Sequence, residues 1–428
     1  MNVRAANPVL PGSTIGILGG GQLGRMTGMA ALSMGYTVHV LDPDPQCAAG
    51  AIAARVITAP FDDAAAAAEL ARGCQVVTLE IEQIGRAALD AVAEITPMRP
   101  GPQPVWVIQD RVRQKEWLAA HRFPLGPFRA AQEATDVANA VRSLGACIVK
   151  AAHGGYDGRG QAHVESESEA AQGWGAVGAR RAVVEQRLDL AYEVSVLVAR
   201  RPGGQMAVYP PSRNHHALGV LTWSVLPAPV PPAVGREAAE IALGIAEELD
   251  VVGLLAVEMF VTTDGRVLVN ELAPRPHNTY HSSERACATS QFEQLVRAVC
   301  DLPLGAPTPT SAGAIANLLG DLWLAGEPPS ALDALSEPAA RLHLYGKREA
   351  RGGRKMGHLS TIGATPEEAL RRVWDAYDRF KPASAPSIER MDPSTLHAPR
   401  STLPPSREDA ERGPGVRRGW SVEPGETS

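Results

Sequence analysis

The stretch AVEMFVTTDGRVLVNEL, residues 256–272, reads as a β-hairpin: two apolar runs flank Asp264-Gly265, a pair that favours a two-residue type I′ turn. With Thr263 opposite Arg266, Glu258 falls directly opposite Glu271 on one face. Like charges so placed, with Cβ atoms about 5 Å apart, destabilise a ladder. Ala256, Phe260, Leu268 and Val269 make the rest of the hairpin apolar, so the acids do not read as part of a solvated face. A divalent cation resolves the repulsion, and Mg2+, which prefers carboxylate and phosphate oxygens, is the expected ligand. Asn270 belongs on the opposite face of an ideal ladder unless a bulge turns it.

Upstream, KAAHGGYDGRGQ (150–161) lies between two strand signals, Ala146–Lys150 and Gln161–Val164. Its glycines allow backbone N–H groups to approach phosphate oxygens closely. Lys150 closes the preceding strand and offers a point charge to a phosphate. No Gly-Lys-Ser/Thr follows, so this is not a Walker A loop. A bland surface hairpin would carry Ser, Asn and Asp rather than Tyr156, Asp157 and Arg159. Another glycine loop, GGGQLG (19–24), follows the strand Ile15–Leu18, opens a helix, and has Asp42 at the end of the next strand. Locally this is a dinucleotide fingerprint, which keeps an NAD(P)-dependent oxidoreductase open. It equally suits a tight turn in any doubly wound domain.

The 428 residues allow two or three domains. Hydrophobic residues at 45 % and charged residues at 21 % fit a globular chain. A net charge of −6 argues against a nucleic-acid binder. The five scattered cysteines form no CxxC, which disfavours a cysteine-built metal site and suits a reducing compartment. No apolar run approaches the ~20 residues of a membrane span, and the N-terminus lacks a signal-peptide core. A cytoplasmic protein without membrane or nucleic-acid partners is expected. Strands at 37–41 and 76–79 alternate with helices and predict a parallel sheet ending near Pro97–Pro104. Residues 109–122 read as a basic helix, 125–190 as a small α+β unit, and 236–249 as a helix. From Ala383 the composition turns to Pro, Ser, Arg and Glu and predicts a disordered tail. Two basic stretches, Ala273–His281 and Lys347–His358, suit an anionic substrate.

Together these segments resemble the ATP-grasp superfamily, and within it the 5-(carboxyamino)imidazole ribonucleotide synthases. The matching motifs are GGGQLGRM (19–26), QDR and QK (109–111, 114–115), GGYDGRGQ (154–161), EQ and E (185–186, 193), NHH (214–216), VEMF with VNELAPRPHN (257–278), ATSQFEQ (288–294) and GRKMGH (353–358). The resemblance implies a mixed α/β and α+β fold. It places an N-terminal doubly wound parallel α/β domain at 1–104 and a linker helix with a central lid at 105–190. An antiparallel-sheet C-terminal domain follows at 191–382, then the tail at 383–428. It implies ATP- and bicarbonate-dependent carboxylation of 5-aminoimidazole ribonucleotide through carboxyphosphate, with Mg2+ and a homodimeric state. A paralogue acting on a different amine, or a non-catalytic nucleotide binder, remains open.

Carried over residue by residue, Arg111, Lys150, Gly155, Tyr156, Asp157, Gly158, Arg159, Gly160 and Gln161 would line the phosphates. Glu185, Gln186, Leu188, Glu193 and His216 would hold adenosine, with Asn270 and Glu271 beside the nucleotide. Glu258 and Glu271 would hold the metal. Gln22, Leu23, Glu80, His277, Asn278, Lys347, Arg354 and Lys355 would meet the ribonucleotide. Asp157, Arg159, Arg275 and Lys355 would act in catalysis. The family usually reads PHNSGH where this chain has PHNTYH at 276–281. Tyr280 therefore either points away from the ribonucleotide or fills part of its site.

Overall fold

The computed structural model describes residues 7–154, 160–217, 219–391 and 396. Three sheets carry the fold. Thr14–Leu18 (β1), Thr37–Asp42 (β2), Arg55–Thr58 (β3) and Val76–Leu79 (β4) pair in parallel in the order β3-β2-β1-β4. Ile15, Ile17 and Leu18 of β1 are fully buried, as expected of a strand with both faces covered. β3 escapes the sequence reading because RVIT is short and only half-buried at an edge.

The second sheet comprises Phe128–Ala131 (β5), Cys147–Ala151 (β6), Gln161–Val164 (β7) and Ala182–Gln186 (β8), antiparallel in the order β5-β8-β6-β7. Helices Ala134–Leu144 and Ala170–Ala176 seal a small core around Val149, Val164 and Val184.

The third sheet is fully antiparallel. Leu190–Arg200 (β9), Met206–Val208 (β10), Ser212–Ala217 (β11), Val220–Leu226 (β12), Gly253–Thr262 (β13), Val267–Ala273 (β14), Ala312–Leu319 (β15), Arg341–Leu344 (β16) and Lys355–Gly363 (β17) run in the order β14-β13-β9-β11-β12-β15-β17-β16, with β10 on β9. Helix Pro232–Glu248 buries Ala238, Ala242 and Ile245 against the β9–β13 end. Helix Pro366–Phe380 buries Val373, Trp374 and Tyr377 against β12, β15 and β17.

Two expectations need correction. The hairpin does not turn on a type I′ pair. Thr262 N donates to Arg266 O at 3.0 Å across a three-residue loop, and Gly265 at φ +87° supplies its left-handed residue. The ladder therefore starts one position out of the expected register, with Val261 opposite Val267 and Met259 opposite Val269. A bulge at Asn270 restores it, and Glu258 pairs with Glu271.

The expected disordered tail is packed where it is described. Ala385 and Leu396 are buried, and Ile388 and Met391 lie against the core under helix Pro366–Phe380. Ser384 Oγ donates to Ala325 O at 2.6 Å, and Arg390 Nη1 to Asp378 at 2.7 Å. A few apolar anchors suffice, and average composition hides them. Residues 392–395 and 397–428 lie outside the described residues. Among the described residues no helix is long and apolar enough to cross a membrane.

Candidate active site

The first glycine loop does not present itself to a pyrophosphate. Gly21 N and Gly24 N donate to the two carboxylate oxygens of Glu80 at 2.6 and 2.8 Å. Gly20 N donates to Asp42 at 2.7 Å. The backbone donors that a dinucleotide would use are thus taken by the chain's own acids. Gly21 is needed for the close approach, since a Cβ there would sit 2.4 Å from Glu80 Oε1. Glu80 therefore caps helix Gln22–Ser33, and Leu23 turns its side chain into a small core with Met26 and Phe292. Burial raises the Glu80 carboxyl despite these two N–H donors. Gln22, half-buried, opens the same helix.

Strands β6 and β14 meet across the cleft through Lys150 and Asn270. Lys150 on β6 lies 2.5 Å from Glu185 and 3.2 Å from Asn270 Oδ1. Lys115, from helix Arg111–Ala120, meets the other Glu185 oxygen at 2.6 Å and donates to Val269 O at 3.2 Å. Burial alone would raise Glu185, but the two ammonium groups outweigh it and hold the carboxyl at about 2. Glu185 therefore bridges two lysines rather than standing open to adenosine. Lys115 is absent from the expected site, although QK (114–115) is one of the matching motifs. Arg111 donates to Ala151 O at 3.2 Å and reaches Glu271 at 3.3 Å.

The glycine-rich loop closes on paired ends. Lys150 is opposite Gln161, and Ala151 N donates to Gly160 O at 2.8 Å. Gly155, Tyr156, Asp157, Gly158 and Arg159 lie outside the described residues. At its base, buried Asp110 of the QDR motif receives His153 at 2.8 Å and Arg181 at 2.6 Å, a clamp absent from the expected site. Gln186 Nε2 donates to Leu144 O at 2.8 Å, and Leu188 covers Gly126. On the third sheet Glu193 pairs with His216 at 2.6 Å. Burial would lower His216, but the Glu193 charge prevails and raises it to about 9.

The bulge at Asn270 sets two successive β14 residues against Glu258, so Asn270 and Glu271 gather beside it. Glu258 also lies 3.1 Å from His277 Nε2. Burial would raise Glu258; the hydrogen bond and charge of His277, with His216 and Lys355, hold it at about 2. Among the described residues no group of three or more His, Cys, Asp or Glu could hold a metal. Two carboxylates and an amide still fit Mg2+, which keeps water and substrate phosphate as its remaining ligands.

Arg275 is locked to Glu82 on the N-terminal side, through Nε at 2.6 Å and Nη2 at 3.2 Å. Burial would raise Glu82, but the charge and hydrogen bonds of Arg275 outweigh it and hold the carboxyl below its ordinary value. Tyr280 does not enter the site. It is fully buried, its hydroxyl lies 2.8 Å from the carbonyls of Ser195 and Pro210, and its ring meets Tyr209 edge-on at 5.8 Å. Lys355 is buried close enough to Glu258 and His216 to act on both charges. Lys347 stands over the Tyr345 ring at 5.7 Å, while Arg354 donates to Glu349 O at 2.9 Å within its own loop.

A lysine-lined cleft between a small antiparallel sheet and a larger antiparallel sheet bearing paired carboxylates defines an ATP-grasp protein, and residues 116–292 match the ATP-grasp domain family. Residues 13–109 match the ribonucleotide synthetase preATP-grasp domain, and 313–372 the phosphoribosylaminoimidazole carboxylase C-terminal domain. N5-carboxyaminoimidazole ribonucleotide synthase of Brucella melitensis biotype 1 is 41 % identical over 355 residues, spanning 82 % of this chain and 97 % of that protein. The Bacillus subtilis protein of the same name is 37 % identical over 367 residues, 85 % and 95 % of the two chains. A crystal structure of the Aspergillus clavatus synthase with ADP and 5-aminoimidazole ribonucleotide superposes with a TM-score of 0.79 at 31 % identity, covering 86 % of this chain and 98 % of that one. The chain belongs to the N5-carboxyaminoimidazole ribonucleotide synthase family.

Proposed function

We propose that the protein uses ATP and bicarbonate to carboxylate the exocyclic amine of 5-aminoimidazole ribonucleotide, releasing ADP and phosphate in purine biosynthesis. The observation that carries this is the Glu258–His277 contact at 3.1 Å, which joins the acidic hairpin of the nucleotide cleft to the turn expected to hold the ribonucleotide. The side chain of Tyr280 leaves that turn unobstructed.

Lys115, Lys150 and Arg111 would bind the ATP phosphates, and Glu193 with His216 would hold the nucleoside. Glu258 and Glu271, with Asn270 nearby, would hold Mg2+, which when bound neutralises charge on the phosphoryl group in transfer. Arg275, fixed by Glu82, and Lys355 would orient bicarbonate and the amine. Lys347 and Arg354 would meet the sugar phosphate. Bicarbonate is a poor electrophile, so activation must precede attack, and the loop 154–161 would keep water from the labile anhydride. We assign residues 1–104 to the ribonucleotide side, 105–190 to the lid and 191–382 to the nucleotide-clamping domain. Five free cysteines suit a cytoplasmic setting, and a homodimer is the assembly we expect.

The test is ADP release with ATP and bicarbonate, with and without aminoimidazole ribonucleotide, alongside product detection. Stoichiometric carboxylated product establishes the reading. Release stimulated only by another amine identifies a paralogue with a different substrate.

A further inference from the structure

Beside the nucleotide cleft, three imidazoles from three elements are stacked. The rings of His281 and His358 are 4.4 Å apart and 5° from parallel, and those of His358 and His343 are 4.5 Å apart and 13° from parallel. The Phe292 ring lies 5.8 Å from His281, and the Tyr345 hydroxyl 2.7 Å from His358 Nδ1. His281 Nε2 is 2.9 Å from Asn278 Oδ1, and its Nδ1 is 3.4 Å from Gln291 Nε2. Gln291 also holds both backbone groups of His277, accepting from N at 2.8 Å and donating to O at 3.0 Å.

These contacts fix the hydrogens. Asn278 Oδ1 only accepts, so His281 Nε2 carries the proton. Gln291 Nε2 only donates, so His281 Nδ1 carries the lone pair. An imidazolium would set two donors face to face at Nδ1. Burial acts in the same direction and keeps His281 and His358 well below the ordinary histidine range. With its oxygen engaged, Asn278 keeps two Nδ2 hydrogens that no described residue accepts, on a side chain that is only part-buried.

We propose that His281 is a positioning residue, which turns the Asn278 carboxamide so that its NH2 faces acceptor oxygens of the bound ribonucleotide. The stacked His358 and His343 hold the imidazole in the required plane. The arrangement selects ligands that place a hydroxyl or phosphate oxygen against Asn278 and refuses those that place an N–H donor there. This deepens the reading of the preceding section and rests on it.

A double-mutant cycle tests it, with steady-state carboxylation kinetics on His281→Phe, Asn278→Ala and the pair. His281→Phe keeps the stack and loses the donor. Each single change is expected to raise KM for aminoimidazole ribonucleotide about tenfold, which corresponds to one lost hydrogen bond of about 1.4 kcal/mol. KM for ATP should move less than about twofold, and the pair should be no worse than Asn278→Ala alone. His281→Gln retains an N–H donor and should stay within about threefold of wild type, a result that does not depend on His281→Phe being folded. Additive effects, an equal rise in KM for ATP, or a tenfold loss in His281→Gln overturns the proposal while leaving the carboxylase reading in place. A wild type inert with aminoimidazole ribonucleotide overturns that reading, and the proposal with it.

Discussion

The carboxylate of Glu185 sits between the ammonium groups of Lys115 and Lys150, 2.6 Å from the first. Its charge and that of Glu258 are held by neighbours against the cost of burial, at about 2 compared with an ordinary 4.5. Groups with depressed values stabilise the fold above their unfolded value and lose that contribution as pH falls through the folded one. The stability gap between wild type and Glu185→Gln should therefore be largest above about pH 5 and shrink towards pH 2. His216 has the opposite sign: raised from 6.5 to about 9, it contributes below about pH 6 and loses its contribution as pH rises through 9. Denaturant unfolding across pH measures both, and gaps that do not vary with pH refute these assignments.

Glu271 is the cleaner probe of the acidic pair, because its side chain is 39 % exposed whereas that of Glu258 is 18 % exposed. Glu271→Gln should reduce ADP release by about 100-fold or more, the scale of losing a group that stabilises transferring charge. Unfolding should shift by less than about 1 kcal/mol, as for other part-exposed sites. Wild-type turnover at ordinary Mg2+ would show that the metal is held elsewhere.

Tyr280 should matter to folding and not to substrate choice. Tyr280→Phe leaves two buried carbonyls without their donor and should cost about 1–3 kcal/mol. Tyr280→Gly should cost about 3–5 kcal/mol, as for other deletions of a buried ring. Kinetics with aminoimidazole ribonucleotide should be unchanged in Tyr280→Phe; a large change in its KM would place the ring in the site after all.

The nicotinamide alternative makes a direct contrast. With Gly20, Gly21 and Gly24 N–H groups bound to Asp42 and Glu80, titration of the protein into NADH should leave nicotinamide fluorescence unaltered. Saturable enhancement would reinstate the fingerprint.

Leu396 is fully buried against the core beneath helix Pro366–Phe380. Leu396→Ala should lower stability by about 2–5 kcal/mol, visible in a thermal melt. An unchanged melt would mean that this part of the chain is not anchored there.

What the sequence disclosed and what it hid follow different physics. Local rules found β1, β2, β4 and the opposed glutamates, because buried strands and hairpins write their period into consecutive residues. The Glu258–Glu271 pairing survived a mistaken turn only because the Asn270 bulge offsets a three-residue loop, and neither feature has a local signature. Lys115 and Glu185 are 70 positions apart, and Glu80 reaches Gly21 across 59, so their partnerships belong to tertiary packing. The fate of Tyr280 depended on carbonyls of Ser195 and Pro210, which no motif pairs with it.

The Glu185 bridge has a consequence for inhibition by small anions. Any free anion approaching Lys115 and Lys150 competes with a tethered carboxylate, whose effective concentration is on the order of millimolar or higher. Inorganic phosphate and sulfate bring one small group to that contest and should inhibit poorly. A polyphosphate chain recovers the loss by touching several cations at once. The internal carboxylate thus acts as a filter on chain length, and reaction-derived phosphate should leave the cleft without slowing the next cycle.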